Sequence, residues 1–396
     1  MKLVVSIFML FSFVSVFAKN GKEIPPSNNE NAGIRKVKDV VIYNDSCFYS
    51  SFPSVIKRPD GELIVAFRRA PDRRIFGGKG NKHVDPNSYL VKVTSTDAEN
   101  WTKTPELIYA HPFGGSQDPC LLQLKNGTIL CASYGWAFLS DEEKSTLEKE
   151  VFEAGGALFL GGYLVRSFDG GSTWEGPVYP PHIEPEINYT PMGKPVPAYN
   201  RGALCEGENG RIYWVVAATD SKNPLKTSAH LLVSDDKGLN WEYLSVVAAG
   251  DSVSFNETSV YKTPKGDLVA FLRTAGLEDQ ACIARSTNGG KTFGQWEKMG
   301  FQGHPLNALR LPDNRVLLTY GYRHEPFGIR ARILNPECSD FATAPEIVLR
   351  NDGGNTDLGY TWPVLLDDHR VLVVYYFNKN NKTRYIAGTI LEIEQP

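Results

Sequence analysis

The chain alternates short apolar segments with turn residues, and one arrangement recurs six times. In each copy, a strand of alternating polarity is followed by a turn with Gly, Asn or Asp and then by a more apolar strand. The six copies begin at residues 52, 118, 201, 257, 304 and 359. Six β-hairpins, each unable to bury its apolar faces alone, predict the blades of a propeller. A β-sandwich would not require six copies of one hairpin.

A second motif falls between the hairpins. Its copies are SFDGGSTW from Ser167, SDDKGLNW from Ser234, STNGGKTF from Ser286 and the weaker STDAENW from Ser95. The Asp or Asn side chain closes a turn and Gly supplies the unusual dihedral angle. The motif resembles the Asp-box of the sialidase-like, BNR-repeat propellers. The resemblance implies an all-β fold over residues 41–396, a six-bladed β-propeller with four-stranded antiparallel blades, in which these carboxylates are structural.

The N-terminus indicates export. Residues 1–18 combine Lys2, an apolar run and a small-x-Ala site at Ala18, which is typical of a secretory signal. We assign residues 19–40 to a linker and expect a periplasmic or secreted monomer with no membrane association after signal removal. With 42 basic and 45 acidic residues, the composition argues against nucleic acid as a partner. The six cysteines lack zinc-type spacing, so we expect no metal and no cofactor.

The alternating direction of the four strands in a blade, here called strand parity, predicts which face of the propeller carries the functional residues. If the strands of a blade are called A to D from the axis outward, the start of A, the end of B and the B–C loop of every blade meet at one face, here called the mouth. Residues at the mouth are rich in groups that bind anions or move protons. The candidates are Arg68, His83, Asp85, Gln117, Asp118, Trp136, Arg201, Glu257, Arg273, His304, Tyr322, Arg323, His324 and Tyr360. An acidic oligosaccharide or polysaccharide is therefore the expected partner.

The resemblance to sialidases gives some of these residues a role. NETSV, FLR and GYTW resemble the segments that carry the family's Glu, second arginine and Tyr nucleophile, which implies Glu257, Arg273 and Tyr360. Arg323 is the candidate for the third carboxylate-binding arginine. The first arginine of the family belongs to a Tyr/Phe-Arg-Ile-Pro stretch, whereas this chain reads YSSFPS and has Ser51 in that place. Arg68 and Arg201 are the alternatives for the role of this first arginine.

Three functions follow from these residues. The first is hydrolysis of a terminal sialic acid, with Tyr360 as nucleophile assisted by Glu257, and Asp85 as acid. The second is elimination on a uronic acid, by a dehydratase or a lyase, which leaves an unsaturated uronate. The third is a non-catalytic, sugar-binding propeller with Trp136 and residues 140–156 at its rim.

The sequence favours elimination, because an Arg-bound carboxylate beside several His and Tyr side chains suits removal of the neighbouring proton. In this interpretation Arg273 and Arg323 hold the carboxylate, and His324, Tyr360 or His83 exchange protons, with Tyr322 nearby. A further resemblance to the polysaccharide-degrading branch of the superfamily suggests an ulvan-type substrate. We therefore predict a carbohydrate-active carbon–oxygen lyase.

Overall fold

The chain forms six antiparallel sheets. The computed structural model describes residues 33–78, 83–380 and 382–394, and in these ranges it contains 26 strands. Five sheets have four strands each, and the sheet of the second blade has six because its inner strand is split and a short strand is added. The predicted six-bladed β-propeller is confirmed. The predicted signal peptide, residues 1–18, lies outside the described residues.

The strands follow the chain blade by blade. Blades 1 and 2 contain β2 (Phe48–Lys57), β3 (Leu63–Pro71), β4 (Tyr89–Ser95) and β5 (Glu106–Tyr109), then β6 (Gly114–Ser116), β7 (Cys120–Gln123), β8 (Ile129–Ala137), β9 (Glu153–Ala154), β10 (Ala157–Ser167) and β11 (Glu175–Val178). Blades 3 and 4 contain β12 (Cys205–Glu206), β13 (Ile212–Lys222), β14 (Leu225–Ser234) and β15 (Glu242–Ala248), then β16 (Ser254–Lys262), β17 (Leu268–Ala275), β18 (Gln280–Ser286) and β19 (Glu297–Gln302). Blades 5 and 6 contain β20 (Leu306–Arg310), β21 (Val316–Tyr322), β22 (Gly328–Leu334) and β23 (Glu346–Arg350), then β24 (Gly359–Asp367), β25 (Arg370–Asn378), β26 (Arg384–Ile393) and β1 (Ile34–Tyr43).

The N-terminal strand closes the ring. Strand β1 pairs antiparallel with β26 and so becomes the outermost strand of blade 6. Residues 34–40, which the sequence analysis placed in the linker, belong to this strand. Its burial pattern alternates only weakly, as an outer strand with a solvated face does, and this explains why the apolar pattern did not reveal it.

The second strand of each blade supplies much of the core. These strands are almost entirely buried, because neighbouring blades cover both of their faces. One apolar cluster joins Phe67, Ala132, Trp214 and Val374, which come from blades 1, 2, 3 and 6. The core therefore lies between the blades and fixes their spacing around the axis.

The Asp-box motifs form the turns between the third and fourth strands, as expected. In the copy between β10 and β11, Asp169 Oδ1 accepts hydrogen bonds from the backbone N–H groups of Ser172 at 3.1 Å and Thr173 at 2.9 Å. Asp236 makes the equivalent bonds between β14 and β15. These carboxylates are engaged by their own turns, which supports a structural role for them.

The insertion between β8 and β10 begins with the short helix α1 (Asp141–Ser145), where Ser140 and Glu143 form a reciprocal capping box. The helix is a little over one turn long, and the segment after it carries Phe152 against Trp136. No helix within the described ranges has the length and apolar character needed to cross a membrane.

Candidate active site

The inner strands of three blades each contain a β-bulge in their first half, and each bulge includes a residue with positive φ. These residues are Phe52 (φ 56°), Glu257 (φ 41°) and Tyr360 (φ 55°). Non-glycine residues rarely adopt this conformation, which costs about 1–3 kcal/mol each. A bulge re-aims a side chain, and the centres of the Phe52 and Tyr360 rings come within 4.7 Å of each other. The same backbone device thus turns side chains of blades 1, 4 and 6 into the mouth.

Tyr360, Glu257 and Arg273 form one hydrogen-bonded unit. The Tyr360 hydroxyl donates to Glu257 Oε1 at 2.6 Å. Arg273 Nη1 donates to the other oxygen of Glu257, Oε2, and lies 3.1 Å from the Tyr360 hydroxyl oxygen, to which it also donates. Tyr360 belongs to blade 6 and the other two residues belong to blade 4, so only the closed ring can bring them together.

The protonation states of this unit follow from its surroundings. Burial raises the pKa of Tyr360 above its ordinary value, and the nearby Glu257 carboxylate raises it further. Burial alone would raise the pKa of Glu257 as well, but the charge of Arg273 and the hydrogen bonds from Tyr360 and Arg273 bring it below its ordinary value. At neutral pH, a protonated phenol therefore faces an ionised carboxylate that can accept its proton.

Two more arginines surround the Tyr360 ring. The guanidinium carbons of Arg201 and Arg323 lie 4.8 and 5.3 Å from the centre of that ring. Arg201 Nη2 donates to the backbone oxygen of Pro53 at 2.8 Å, which joins blade 3 to the bulge of blade 1. Arg323 Nε donates to the backbone oxygen of Leu358 at 3.1 Å. The structure thus gathers three arginines from blades 3, 4 and 5 around one phenol.

Arg68 reaches the same region from blade 1. It pairs with Ser51 across β2 and β3, so it stands opposite the position where the sialidase pattern has its first arginine. Arg68 is 0% exposed, and its three guanidinium nitrogens have no hydrogen-bond partner among the described residues. A buried guanidinium without acceptors is costly, and such groups are typical of ligand sites.

Asp118 occupies the interruption between β6 and β7 in blade 2. It is 1% exposed, and its Oδ2 accepts a hydrogen bond from the Tyr134 hydroxyl at 3.1 Å. Within the described part of the chain, Oδ1 has no hydrogen-bond partner. Burial, followed by the negative charge of Glu257, raises the pKa of Asp118 to about 7, although Arg201 and Arg68 act in the opposite direction.

The predicted histidines of blade 5 form a second polar cluster. His304 Nδ1 lies 3.5 Å from Asp279 Oδ1, and His324 Nε2 lies 3.3 Å from Asp279 Oδ2. Burial and the charges of Arg273 and Arg323 lower the pKa of His304 to about 2, so that this imidazole is neutral. The Tyr322 ring packs against His324, with the ring centres 5.5 Å apart.

His83 and Gln117 lie on the blade 1 side of the mouth. The His83 side chain is 52% exposed, its Nδ1 lies 3.3 Å from the Tyr49 hydroxyl, and its backbone oxygen accepts a bond from Gln117 Nε2 at 2.8 Å. Asp357 anchors this side by accepting hydrogen bonds from Tyr49 at 2.8 Å and Tyr376 at 2.9 Å. Gln117 thus holds the backbone of His83 in place through a hydrogen bond.

Asp85, the candidate acid for hydrolysis, is engaged in an ion pair. Arg73 Nε and Nη2 each lie 2.7 Å from one oxygen of the Asp85 carboxylate, to which they donate, and this bidentate pair lowers the pKa of Asp85 although burial opposes it. A carboxylate held ionised in this way is a poor proton donor. The structure therefore does not favour Asp85 as the acid. No pattern in the sequence indicates that Arg73 folds back onto this carboxylate.

An aromatic cavity of about 190 Å³ opens beside Glu257. Trp136, Phe152 and Phe159 form its apolar wall, and Arg201 and Tyr134 contribute its polar side. Trp136, a predicted substrate-binding residue, is buried here with its ring centre 4.9 Å from that of Phe159. The cavity can accept a compact substituent of a sugar next to the Tyr360 and Glu257 pair.

Two residues that organise the site, Asp279 and Asp357, are not among the candidates predicted from the sequence. Asp279 lies in the B–C loop of blade 4, and Asp357 lies just before the inner strand of blade 6. Strand parity assigns both positions to the mouth, so a signal was present. Among the described residues, no three His, Cys, Asp or Glu side chains are placed to hold a metal ion.

Comparison with known proteins agrees with this architecture. Residues 153–335 match the BNR repeat-like domain. A crystal structure of a protein of unknown function from Dyadobacter fermentans DSM 18053 is 71% identical in sequence, with a TM-score of 0.90, over 91% of this chain and 99% of that one. No protein of curated function matches the sequence significantly.

More distant structures share the fold. The NanB sialidase from Streptococcus pneumoniae superposes with a TM-score of 0.60 at 11% identity, over 91% of this chain and 70% of that one. The α-L-arabinanase from Penicillium chrysogenum, complexed with arabinobiose, gives a TM-score of 0.62 at 13% identity, over 91% and 99% of the two chains. At these identities the two matches show the fold, which this chain shares with sialidases and an arabinanase. The 71% identity over nearly the whole chain shows that it belongs to the same family as the D. fermentans protein.

Proposed function

We propose that this protein is a glycoside hydrolase that cleaves an anionic sugar from a glycoside, with Tyr360 as the nucleophile and Glu257 as its base. The observation that carries the proposal is the 2.6 Å hydrogen bond from the Tyr360 hydroxyl to Glu257 Oε1. A phenol is a suitable nucleophile beside an anionic substrate, because a carboxylate nucleophile would be repelled.

The reaction divides into two displacements. In the first, the Tyr360 oxygen bonds to the anomeric carbon, its proton passes to Glu257, and the glycosidic C–O bond breaks as the leaving oxygen takes a proton from an acid. In the second, water attacks the anomeric carbon and gives a proton to the ionised acid, the bond to Tyr360 breaks, and Glu257 returns its proton to the phenol oxygen. The sum is addition of one water molecule across the glycosidic bond, with retention of configuration.

The charges of the site support an anionic substrate. Arg273, Arg323 and Arg201 surround the Tyr360 phenol. Arg68 lies near Phe52, whose ring packs on Tyr360, and Glu257 and Asp118 contribute carboxyl groups to the same cluster. Guanidinium groups bind carboxylates by charge-assisted hydrogen bonds, and Arg68 has donors with no acceptor in the described residues. Sialic acids and uronic acids are the substrate classes that fit this surplus of donors.

Elimination on a uronic acid is the second candidate. The histidine pair around Asp279, next to Arg273 and Arg323, favours it, because a neutral imidazole can take up a proton beside a bound carboxylate. For Tyr360 to act as the eliminating base, its phenol, whose pKa is raised by burial, would first have to give its proton to Glu257. Ulvan-type substrates belong to this second candidate.

A panel of glycosides tests the proposal. The purified protein would be incubated with 4-methylumbelliferyl glycosides of N-acetylneuraminic acid and glucuronic acid, with the neutral galactoside as control. We expect release of methylumbelliferone from an anionic glycoside only, and its loss in Tyr360→Phe. Cleavage of the neutral control at the same rate, or an active Tyr360→Phe variant, would contradict the proposal. A rising ultraviolet band of unsaturated uronate from uronate oligosaccharides would instead support elimination.

A further inference from the structure

The mechanism requires a proton donor for the leaving oxygen. The carboxylates of the loop between β3 and β4 in blade 1 do not offer one. Asp85 is held by Arg73 through two hydrogen bonds of 2.7 Å each. Asp72 accepts hydrogen bonds from both the backbone and the side chain of Arg74. Carboxylates bound to guanidinium groups stay ionised at neutral pH and have no proton to give.

Asp118 has the opposite surroundings. Its side chain is buried, Tyr134 occupies only Oδ2, and Oδ1 has no partner among the described residues. A buried carboxylate with an unpaired oxygen is unfavourable, whereas a protonated carboxyl needs only an acceptor for its hydrogen. The glycosidic oxygen of a bound substrate would be such an acceptor.

Asp118 also lies close to the reacting groups. The charge of Glu257 raises the pKa of Asp118 whereas Arg201 and Arg68 act to lower it, and an ionised Asp118 in turn raises the pKa of Tyr360. The Tyr134 hydroxyl, its hydrogen-bond partner, belongs to a residue that lines the cavity beside Glu257. The two carboxyl groups of the cluster have pKa values shifted in opposite directions, that of Asp118 upward by burial and that of Glu257 downward by Arg273 despite burial. Such a divided pair is the usual arrangement of an acid and a base in one site.

We propose that Asp118 is the catalytic acid of this enzyme, a role that rests on the proposed hydrolysis. Asp118 gives its proton to the leaving oxygen as the bond from Tyr360 to the anomeric carbon forms. The resulting carboxylate then takes a proton from the water that attacks the intermediate, so Asp118 ends each cycle protonated.

Leaving groups of different basicity test this role. For the anionic sugar that the wild type cleaves, the 4-nitrophenyl and methyl glycosides would be compared in Asp118→Asn. We expect kcat on the methyl glycoside to fall about 100- to 10,000-fold, since methoxide needs a proton to leave, and kcat on the nitrophenyl glycoside to fall less than about tenfold. Asp85→Asn is the matched control and should show no such selectivity. Equal losses on both glycosides, or a selective loss in Asp85→Asn, would overturn the assignment.

The pH profile and the infrared spectrum add independent readouts. The wild type should lose kcat/KM above about pH 7, and Tyr134→Phe should move this limb to higher pH because the ionised form loses a hydrogen bond. In the infrared difference spectrum between wild type and Asp118→Asn, a protonated carboxyl band should be present at about pH 5 and absent at about pH 9. An ionised Asp118 at the lower pH would refute the proposal without any activity assay. A protonated Asp118 in a protein that cleaves no glycoside would refute the proposed hydrolysis and its acid together.

Discussion

Replacement of Glu257 by Gln is the sharpest test of the Tyr360 and Glu257 unit. Glu257 accepts hydrogen bonds from Tyr360 on one oxygen and from Arg273 on the other. Gln keeps the shape but has one acceptor oxygen, so one of these two donors must face an NH₂ group. The substitution also removes the negative charge that compensates Arg273 and the base that receives the phenol proton.

The expected losses can be estimated. Loss of a positioned general base lowers kcat about 100- to 10,000-fold. Loss of a hydrogen bond to a charged group costs about 1.5–3 kcal/mol of unfolding free energy. Because Tyr360 and Glu257 act as one unit, the double variant Tyr360→Phe with Glu257→Gln should fall to the level of the worse single variant, within about threefold.

The assay measures kcat on a 4-methylumbelliferyl glycoside of the cleaved sugar, together with urea unfolding of each variant. Asp267→Asn is a suitable control, because Asp267 accepts a 3.0 Å bond from Arg285 in a largely buried ion pair away from the mouth. It should lose stability but not kcat. A Glu257→Gln enzyme within about threefold of wild type, or losses that multiply in the double variant, would refute the reasoning.

Three further predictions concern the neighbours of this unit. Arg68→Met should lower kcat/KM about 10- to 100-fold without lowering the free energy of unfolding in urea, because it removes a buried guanidinium that has no acceptor in the described residues. Destabilisation with full activity would instead mean that Arg68 has a structural role. Burial raises the pKa of Asp118 to about 7, so the stability that its protonated form contributes is present at low pH and is lost as the pH rises through about 7. Calorimetry should therefore find that the Tm of Asp118→Asn rises relative to that of the wild type between about pH 5 and about pH 8.5. A constant difference in Tm would contradict this. Gly359→Ala should reduce both Tm and kcat, because Gly359 has φ 109° and a Cβ there would lie 3.0 Å from the Cα of Gly321, next to Tyr360. Gly289→Ala, at φ 72° with no atom within 4 Å of the added Cβ, should cost about 1–2 kcal/mol and leave kcat unchanged.

The sequence was sufficient to predict the architecture. Hairpins repeated six times and Asp-box turns between them are local patterns, since each depends on residues within about one blade of each other. Strand parity was also enough to place Tyr360, Glu257, Arg273 and Arg323 at the same face. The position of β1 escaped because an outer strand with one solvated face carries little periodic signal.

The partners of each side chain depended on the closed ring. Tyr360 reaches Glu257 across 103 positions of sequence, and Arg201 reaches Pro53 across 148, through bulges whose positive φ values no hydrophobic pattern encodes. The contrast between Asp85, paired with Arg73, and Asp118, buried with an unpaired oxygen, likewise appears only in three dimensions. Residue order determined which groups lie at the mouth, whereas tertiary packing decided which of them are ionised, because protonation depends on burial and on charges brought from other blades.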